Sequence, residues 1–382
     1  MVIGMEGHPK ILRYDLQKLV RFSAFSVLCA HGTIFGDDKT AIINVGMMLC
    51  ISIISCLVIC LIYMNNFSDL KDFDLKAMDR LAHQINSFVP FCLGLYVSLS
   101  LQRWWTLRVA ALGKVFDSFC NLAMLISCEL HAKKWTDLRT QVLKYGFGSL
   151  TLLTQAARDK EDLQKLVDQG CLTALEARAV QKHVDLWQRP MILWVWIMRI
   201  SMSAMSHQKS PNPRIGALLA ECTKANDGIN TINEYVDTQL PFAYVHLITF
   251  LVNMQNITLA INAGLKFATA IPGMHYLAMI SQVAMVCSVC FLYQALLQIT
   301  YLLVDPFGDD TLDFPIKAYG CYLASTIHAL LEAHPQCPVV AENGTLWRPK
   351  QAGQLLGMPA CEILADSESD EDEVQGVAVD GF

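Results

Sequence analysis

Residues 41–64 read AIINVGMMLCISIISCLVICLIYM, and no Asp, Glu, Lys or Arg occurs between Lys39 and Asp69. About 20 consecutive apolar residues cross the hydrocarbon core of a bilayer, so this stretch is expected to form a transmembrane helix. It begins behind five basic and four acidic residues, too far into the chain for a cleaved signal peptide.

Three further uncharged runs follow. Gln84–Gln102 is short and holds Asn86, Ser87, Pro90, Gly94, Ser98 and Ser100. Polar and helix-breaking groups at membrane depth are tolerated where they face protein or a water-filled path, so this helix is a better pore candidate than the first. The third run extends from Thr238 to Leu265 and the fourth from Phe267 to Val304, with Ile271-Pro272-Gly273 as a turn before the last helix. The spans are placed at about residues 41–64, 84–102, 240–264 and 274–303.

Composition agrees. The 382 residues are 53% hydrophobic and 17% charged, against about 25% charged for soluble domains, which argues against both a disordered chain and an ordinary soluble enzyme. The net charge of −6 belongs mainly to a tail: seven acids and no Lys or Arg lie from Asp366 onward, leaving 29 basic against 28 acidic residues elsewhere. No basic stripe with interleaved aromatics points to nucleic acid.

With a cytosolic N-terminus the inside segments hold 5 (residues 1–39), 17 (103–237) and 3 (305–382) Lys and Arg against 4 outside (Lys71, Lys76, Arg80 and Lys266), which places both termini in the cytosol. Residues 1–39 are then a cytosolic segment, 40–331 the membrane domain with a cytosolic helical insert at 103–237, and 332–382 an irregular segment with a disordered acidic tail at 366–382. Within the insert, Asp159–His183 is expected to hold two amphipathic helices around Gln169-Gly170, and Ser210–Pro213 to form a loop before a helix from Ile215. Met191–Met198, with Trp194 and Trp196, is too short to span and is expected to pack in a core or at an interface. In the tail, Ser367 and Ser369 sit among acids and suit an acidophilic kinase, although short acidic tails also serve solubility alone.

No GxGxxG, P-loop, HExxH or Gly-x-Ser-x-Gly motif is present, and His246 in the third span has no acidic partner there, so catalysis is not expected. Of the 14 cysteines, Cys50, Cys56 and Cys60 share one apolar run and Cys287 and Cys290 another, as buried small hydrophobes do. One CxxC without a second pair or a nearby His makes a poor zinc site.

Two segments are more specific. Phe91–Trp105 closes the second span with Gly94-Leu-Tyr-Val97 and Arg103-Trp-Trp105, and Val304–Pro315 follows the fourth with Asp305-Pro-Phe-Gly308 and an acidic run to Asp313. Together with Trp194-Val-Trp196, Leu218-Leu-x-Glu221 and Pro241-x-x-Tyr244, they resemble the bestrophin family of anion channels over about residues 10–330.

That resemblance implies an all-α, four-span polytopic membrane protein assembling as a homopentamer, with second spans ringing a hydrophobic neck. Ungapped carry-over puts the neck at Ser87, Phe91 and Leu95, whose i, i+4, i+8 spacing shares one helical face. Ser87 replaces a larger apolar residue and Pro90 lies inside the helix. Phe ring edges and backbone N–H groups exposed near Pro90 would favour an anion. Packing of Phe91 and Leu95 between helices is the alternative.

The resemblance further implies a calcium clasp at Asp310 and Asp313, with Asp305 and Asp309 nearby and Gly308 permitting the turn. Thr311 and Leu312 replace acids, and Leu302 an amide, of the animal members, so weak or absent calcium gating is expected; a polar cap cluster after Pro306 is the rival reading. A cytosolic constriction falls near Pro213-Arg214-Ile215, where Pro213 replaces an aliphatic residue and no filter is assigned.

The expected function is passive conduction of chloride, with bicarbonate and other small monovalent anions as further candidates. A non-conducting regulatory or scaffold subunit of the same fold is the alternative, and a transporter would show inverted halves that this pattern lacks. The membrane is either the plasma membrane or that of an organelle, the chloroplast thylakoid included. No transit peptide is evident, and the sequon Asn66-Phe67-Ser68 abuts the bilayer.

Overall fold

The uncharged runs fold as helices whose ends extend beyond the runs themselves. The computed structural model describes residues 39–65, 75–210, 212–308, 313–336, 339–340 and 346–347. Their order is α1 (Lys39–Asn65), α2 (Leu75–Trp105), a π-helical segment (Thr106–Leu112), α3 (Gly113–Glu129), α4 (Thr136–Ala157), α5 (Leu163–Asp168), α6 (Ala174–Gln181), α7 (Gln188–His207), α8 (Asn212–Asp237), α9 (Phe242–Ala270), α10 (Tyr276–Leu302) and α11 (Ile316–Gln336). A two-stranded hairpin, Val339–Val340 with Leu346–Trp347, is the one sheet among the described residues. Among the described residues the fold is therefore all-α apart from those four.

Among the described residues, four helical stretches are long and apolar enough to cross a bilayer: Ile42–Asn65, Lys76–Glu129, Phe242–Ala270 and Tyr276–Leu302. Two of these helices extend well beyond the expected spans. The second helix begins at Leu75, about two and a half turns before Gln84, because Lys76, Asp79 and Arg80 end the uncharged run without ending the helix. The third runs through Lys266 to Ala270, since the Lys266 ammonium pairs with Asp79 on α2 and is not left unpaired at membrane depth.

By chain contacts the protein divides into two compact units: residues up to Trp105 with Thr238–Phe314, and Thr106–Asp237 with the residues from Pro315 onward. In the first unit, α9 presents Ala260, Ala263, Gly264, Ala268 and Ala270 as a buried small-residue face. A Cβ on Gly264 would lie 2.5 Å from the Cys56 carbonyl oxygen and 3.1 Å from Ile59 Cβ of α1, so glycine is what permits the two backbones to approach. The expected turn before α10 is present at 271–274, with Met274 at φ 49°.

The second unit has a soluble-type core. Trp194 and Phe119 are fully buried, with Phe119 meeting Phe147 and Trp194 edge-on at 5.1 and 6.2 Å between centroids, which makes the Met191–Met198 stretch core packing. The two short helices expected in 159–183 are α5 and α6, separated by a turn in which Gly170 has φ +66°. Asp162 caps α5 by accepting from the Lys165 amide at 3.0 Å, and Thr173 with Glu176 forms a capping box on α6. The expected loop at Ser210–Pro213 is shorter: α8 begins at Asn212 with Pro213 in its first turn, where the missing N–H would have had no intrahelical partner anyway. The C-terminal segment, expected to be irregular from residue 332, is helical through Gln336.

Burial and the Glu176 hydrogen bond push the Tyr145 hydroxyl up to about 12. Burial alone would raise Glu176, yet hydrogen bonds from Tyr145 and Thr173 outweigh it and hold this carboxyl below its ordinary value.

Candidate pore helix and acidic turn

Along α2, Ala82, Val89, Leu93, Tyr96 and Ser100 are buried and define the packing side. Val89, Leu93 and Tyr96 form a cluster with Ile248 and Val252 of α9, with Tyr293 and Leu297 of α10 against it. At about 100° per residue, Ser87, Phe91 and Leu95 fall on the opposite side of the helix. All three are exposed, Phe91 at 65% and Leu95 at 48%, and a Cβ on the neighbouring Gly94 would meet nothing within 4 Å. Arg80, Gln84, Ser98 and Gln102 continue the same exposed face. Phe88, exposed at 55%, lies about 60° round from Phe91 and went unnoticed in the sequence.

Pro90 sits inside an unbroken α2, and this corrects one expectation. A proline in a continuous helix removes its own N–H and frees the carbonyl four residues earlier, here that of Asn86, so no backbone N–H groups are released toward an anion. The Ser87 hydroxyl is also occupied, donating to the His83 carbonyl at 3.0 Å. The remaining groups on this face that could favour an anion are the Phe91 ring edge and the Arg80 guanidinium.

Polar pairs inside the bundle were not read from the sequence as partners. Asn86 Oδ1 accepts from Gln255 Nε2 of α9 and from the Tyr293 hydroxyl of α10, each at 3.0 Å. Gln294 Nε2 donates to Asn253 Oδ1 at 3.0 Å, and Asn262 Nδ2 to Asp79 Oδ1 at 3.2 Å. The available signal was the presence of amides within otherwise apolar spans. An open cavity of about 640 Å³ at the Arg103 end of the unit is lined in part by Asn44, Arg103, Asn253, Gln294 and Gln298.

The two motif segments meet. Trp104 packs on Phe314 at 5.1 Å, and Phe314 on Phe307 edge-on at 5.4 Å, joining the Arg-Trp-Trp stretch to the turn after α10. In that turn Asp305 Oδ1 accepts from the Phe307 amide at 3.1 Å and the Phe314 amide donates to the Pro306 carbonyl at 2.8 Å. Asp305 is exposed and Asp313 buried, yet both face Gly308: a Cβ there would lie 2.8 Å from Asp313 Oδ2 and 3.5 Å from Asp305 Oδ2. Two converging carboxylates are donor chemistry that suits Ca²⁺, though they fall short of its six to eight oxygens, and no cluster of three metal-ligating side chains exists among the described residues. Asp309 and Asp310 lie outside the described residues, as do Ser367 and Ser369.

Elsewhere, Pro213 and Arg214 are exposed at the start of α8, with Arg214 paired to Glu129. The described cysteines are free thiols, and Cys290 contacts the Ser52 hydroxyl at 3.5 Å.

Comparison with known proteins agrees with this architecture. A family model described as "Bestrophin, RFP-TM, chloride channel" matches residues 40–319. Bestrophin-1 of Homo sapiens is 26% identical over 244 residues, 59% of this chain and 39% of that protein, and Bestrophin-1 of Sus scrofa is 26% identical over 247 residues. The match thus spans about two fifths of the length of these relatives. A crystal structure of a bacterial bestrophin homolog from Klebsiella pneumoniae, carrying a point mutation, superimposes with TM-score 0.63 at 15% identity, covering 78% of this chain and all of that one. A second structure of the Klebsiella pneumoniae homolog gives TM-score 0.59 at 16% identity. With the family model covering most of the sequence and the four-helix membrane architecture in place, the chain belongs to the bestrophin family, as an integral membrane protein of a channel family.

Proposed function

We propose that this protein is a passive anion channel, selective for small monovalent anions such as chloride and bicarbonate, working as a homopentamer with α2 lining the pore. The observation that carries this reading is the exposed face of α2. Gln84, Ser87, Ser98 and Gln102 on that face are polar groups at membrane depth, which lipid does not tolerate and a water-filled path does. Phe91 and Leu95 interrupt the polar stripe to form a hydrophobic neck, where five Phe91 rings gate by dewetting and direct their positive edges at the ion. Arg80 at one end of the stripe attracts anions toward it.

The acidic turn supplies a calcium site in this proposal. Asp305 and Asp313 would hold the ion, and Asp309 and Asp310 belong to the same acidic run of sequence. Bound calcium would supply positive charge that offsets the repulsion between these carboxylates, and the Phe307–Phe314–Trp104 contacts link that turn to the last residue pair of α2. Ser367 and Ser369 are proposed substrates of an acidophilic kinase.

Anion flux into liposomes from purified full-length protein, with assembly state measured in parallel, tests the channel. Chloride flux from pentamers is expected. Pentamers that conduct no anion at any calcium concentration would point to the regulatory or scaffold role. Asp305→Asn combined with Asp313→Asn is expected to abolish calcium dependence, and an unchanged calcium response removes the clasp.

A further inference from the structure

Three side chains from three helices meet beside the neck: Asn86 of α2 accepts from Gln255 of α9 and Tyr293 of α10 on one carbonyl oxygen. Asn86 immediately precedes Ser87, and its backbone carbonyl is the one released by Pro90. The helix is thus least restrained by its own hydrogen bonds at the point where its side chain is held by two neighbours.

The apolar contacts fix which side of α2 packs: Val89, Leu93 and Tyr96 are buried against Ile248 and Val252. Hydrogen bonds to a single oxygen are directional and set the finer rotation within that packing. Phe88 and Phe91 lie about 60° apart on the helix and both are exposed, so a turn of about half that angle is enough to exchange which ring stands foremost.

We propose that Asn86, with Gln255 and Tyr293, is a positioning node that sets the rotation of the pore helix, so that Phe91 and not Phe88 faces the conduction path. This rests on the reading of α2 as the pore helix. Asn86 touches no permeating ion; it acts by deciding which aromatic ring does.

The test uses full-length protein in liposomes, reading relative permeability to two anions of different size together with the melting midpoint. In the wild-type background, Phe91→Ala is expected to change the permeability ratio and Phe88→Ala to leave it alone. In the Asn86→Leu background the sensitivity transfers to Phe88, giving non-multiplicative effects of about three-fold or more. Tyr293→Phe removes one hydroxyl with little risk to folding, and is expected to shift the ratio in the same direction by a smaller factor at an unchanged melting midpoint. Independent multiplication of the Asn86 and Phe91 effects, with Phe88 silent in every background and Tyr293→Phe without effect on the ratio, overturns the node and leaves the pore reading intact. A wild-type protein that conducts nothing, or whose Phe91→Ala variant is unchanged, removes the pore reading and the node together.

Discussion

Helices α1 and α2 both expose large apolar side chains, but the faces they expose differ in kind. On α1, Ile43, Met47, Ile54, Leu57, Leu61 and Ile62 are exposed with little polar between them. On α2, Phe91 and Leu95 stand in line with Gln84, Ser87, Ser98 and Gln102. Lipid suits the first surface, whereas the side-chain amides of Gln84 and Gln102 on the second would lack partners in hydrocarbon. On the proposed function the difference means contact with lipid on α1 and contact with water on this face of α2, and interspersed polar residues are what distinguish the two.

The most direct way to break that comparison is a matched pair of charges. Ile54→Lys, near the middle of α1, is expected to cost about 3 kcal/mol of membrane insertion. Leu95→Lys should insert nearly normally and raise anion flux. Insertion measured by glycosylation mapping or membrane-fraction yield decides it, and equal losses for the two would mean that both faces meet lipid.

The inner side of α1 sharpens the contrast. Gly264→Ala places a methyl 2.5 Å from the Cys56 carbonyl oxygen, so α1 and α9 must move apart, at about 2 kcal/mol. A lowered melting midpoint of the detergent-solubilised protein is the expected result. Ile43→Ala on the lipid side of the same helix should leave it almost unchanged.

On α2, Phe91→Ala should alter conductance or selectivity while lowering stability by less than a core Phe→Ala change, because this ring is 65% exposed in the single chain. A large stability loss with unaltered flux would show that Phe91 packs between helices instead of lining a path.

The smallest effect lies in the other unit. Tyr145→Phe is expected to cost about 1 kcal/mol through loss of its bond to Glu176. Because Tyr145 titrates higher in the folded state, its contribution is complete below the ordinary tyrosine value of about 10 and is lost as pH rises toward 12. Glu176 is depressed, so its contribution is present above the ordinary carboxylate range and is lost as pH falls through the lower value. The melting difference between wild type and Tyr145→Phe should therefore be flat through neutral pH and shrink at both extremes. A difference that varies through neutral pH would show that the pair is not coupled as described.

Much of this architecture was legible in the chain, and for identifiable reasons. Uncharged runs longer than a bilayer is thick, such as 40–68, have one physical outcome, so the four spans and the turn at Ile271–Gly273 could be read directly. Helix ends were less legible: Lys266 reads as a terminus until its partner Asp79, 187 residues earlier, is seen beside it. The neck positions come from the family resemblance, carried over from Arg103-Trp104-Trp105; their spacing puts them on one face of α2, while the chain itself does not say which direction that face points.

By itself, then, the sequence determined membrane residence, the number of spans, the family and the fact that Ser87, Phe91 and Leu95 share one helical face. Membrane residence, spans and shared face depend on local hydropathy and periodicity, properties of neighbouring residues alone, and the family on short motifs legible without any contact between them. Only the tertiary structure decided that Trp104, Phe307 and Phe314 pack together, that Asp305 and Asp313 converge on Gly308, and that Asn86 is held by Gln255 and Tyr293. Each of those brings together residues from separate segments, and the directional geometry that makes them meet is written in the packing of helices and not in any one of them.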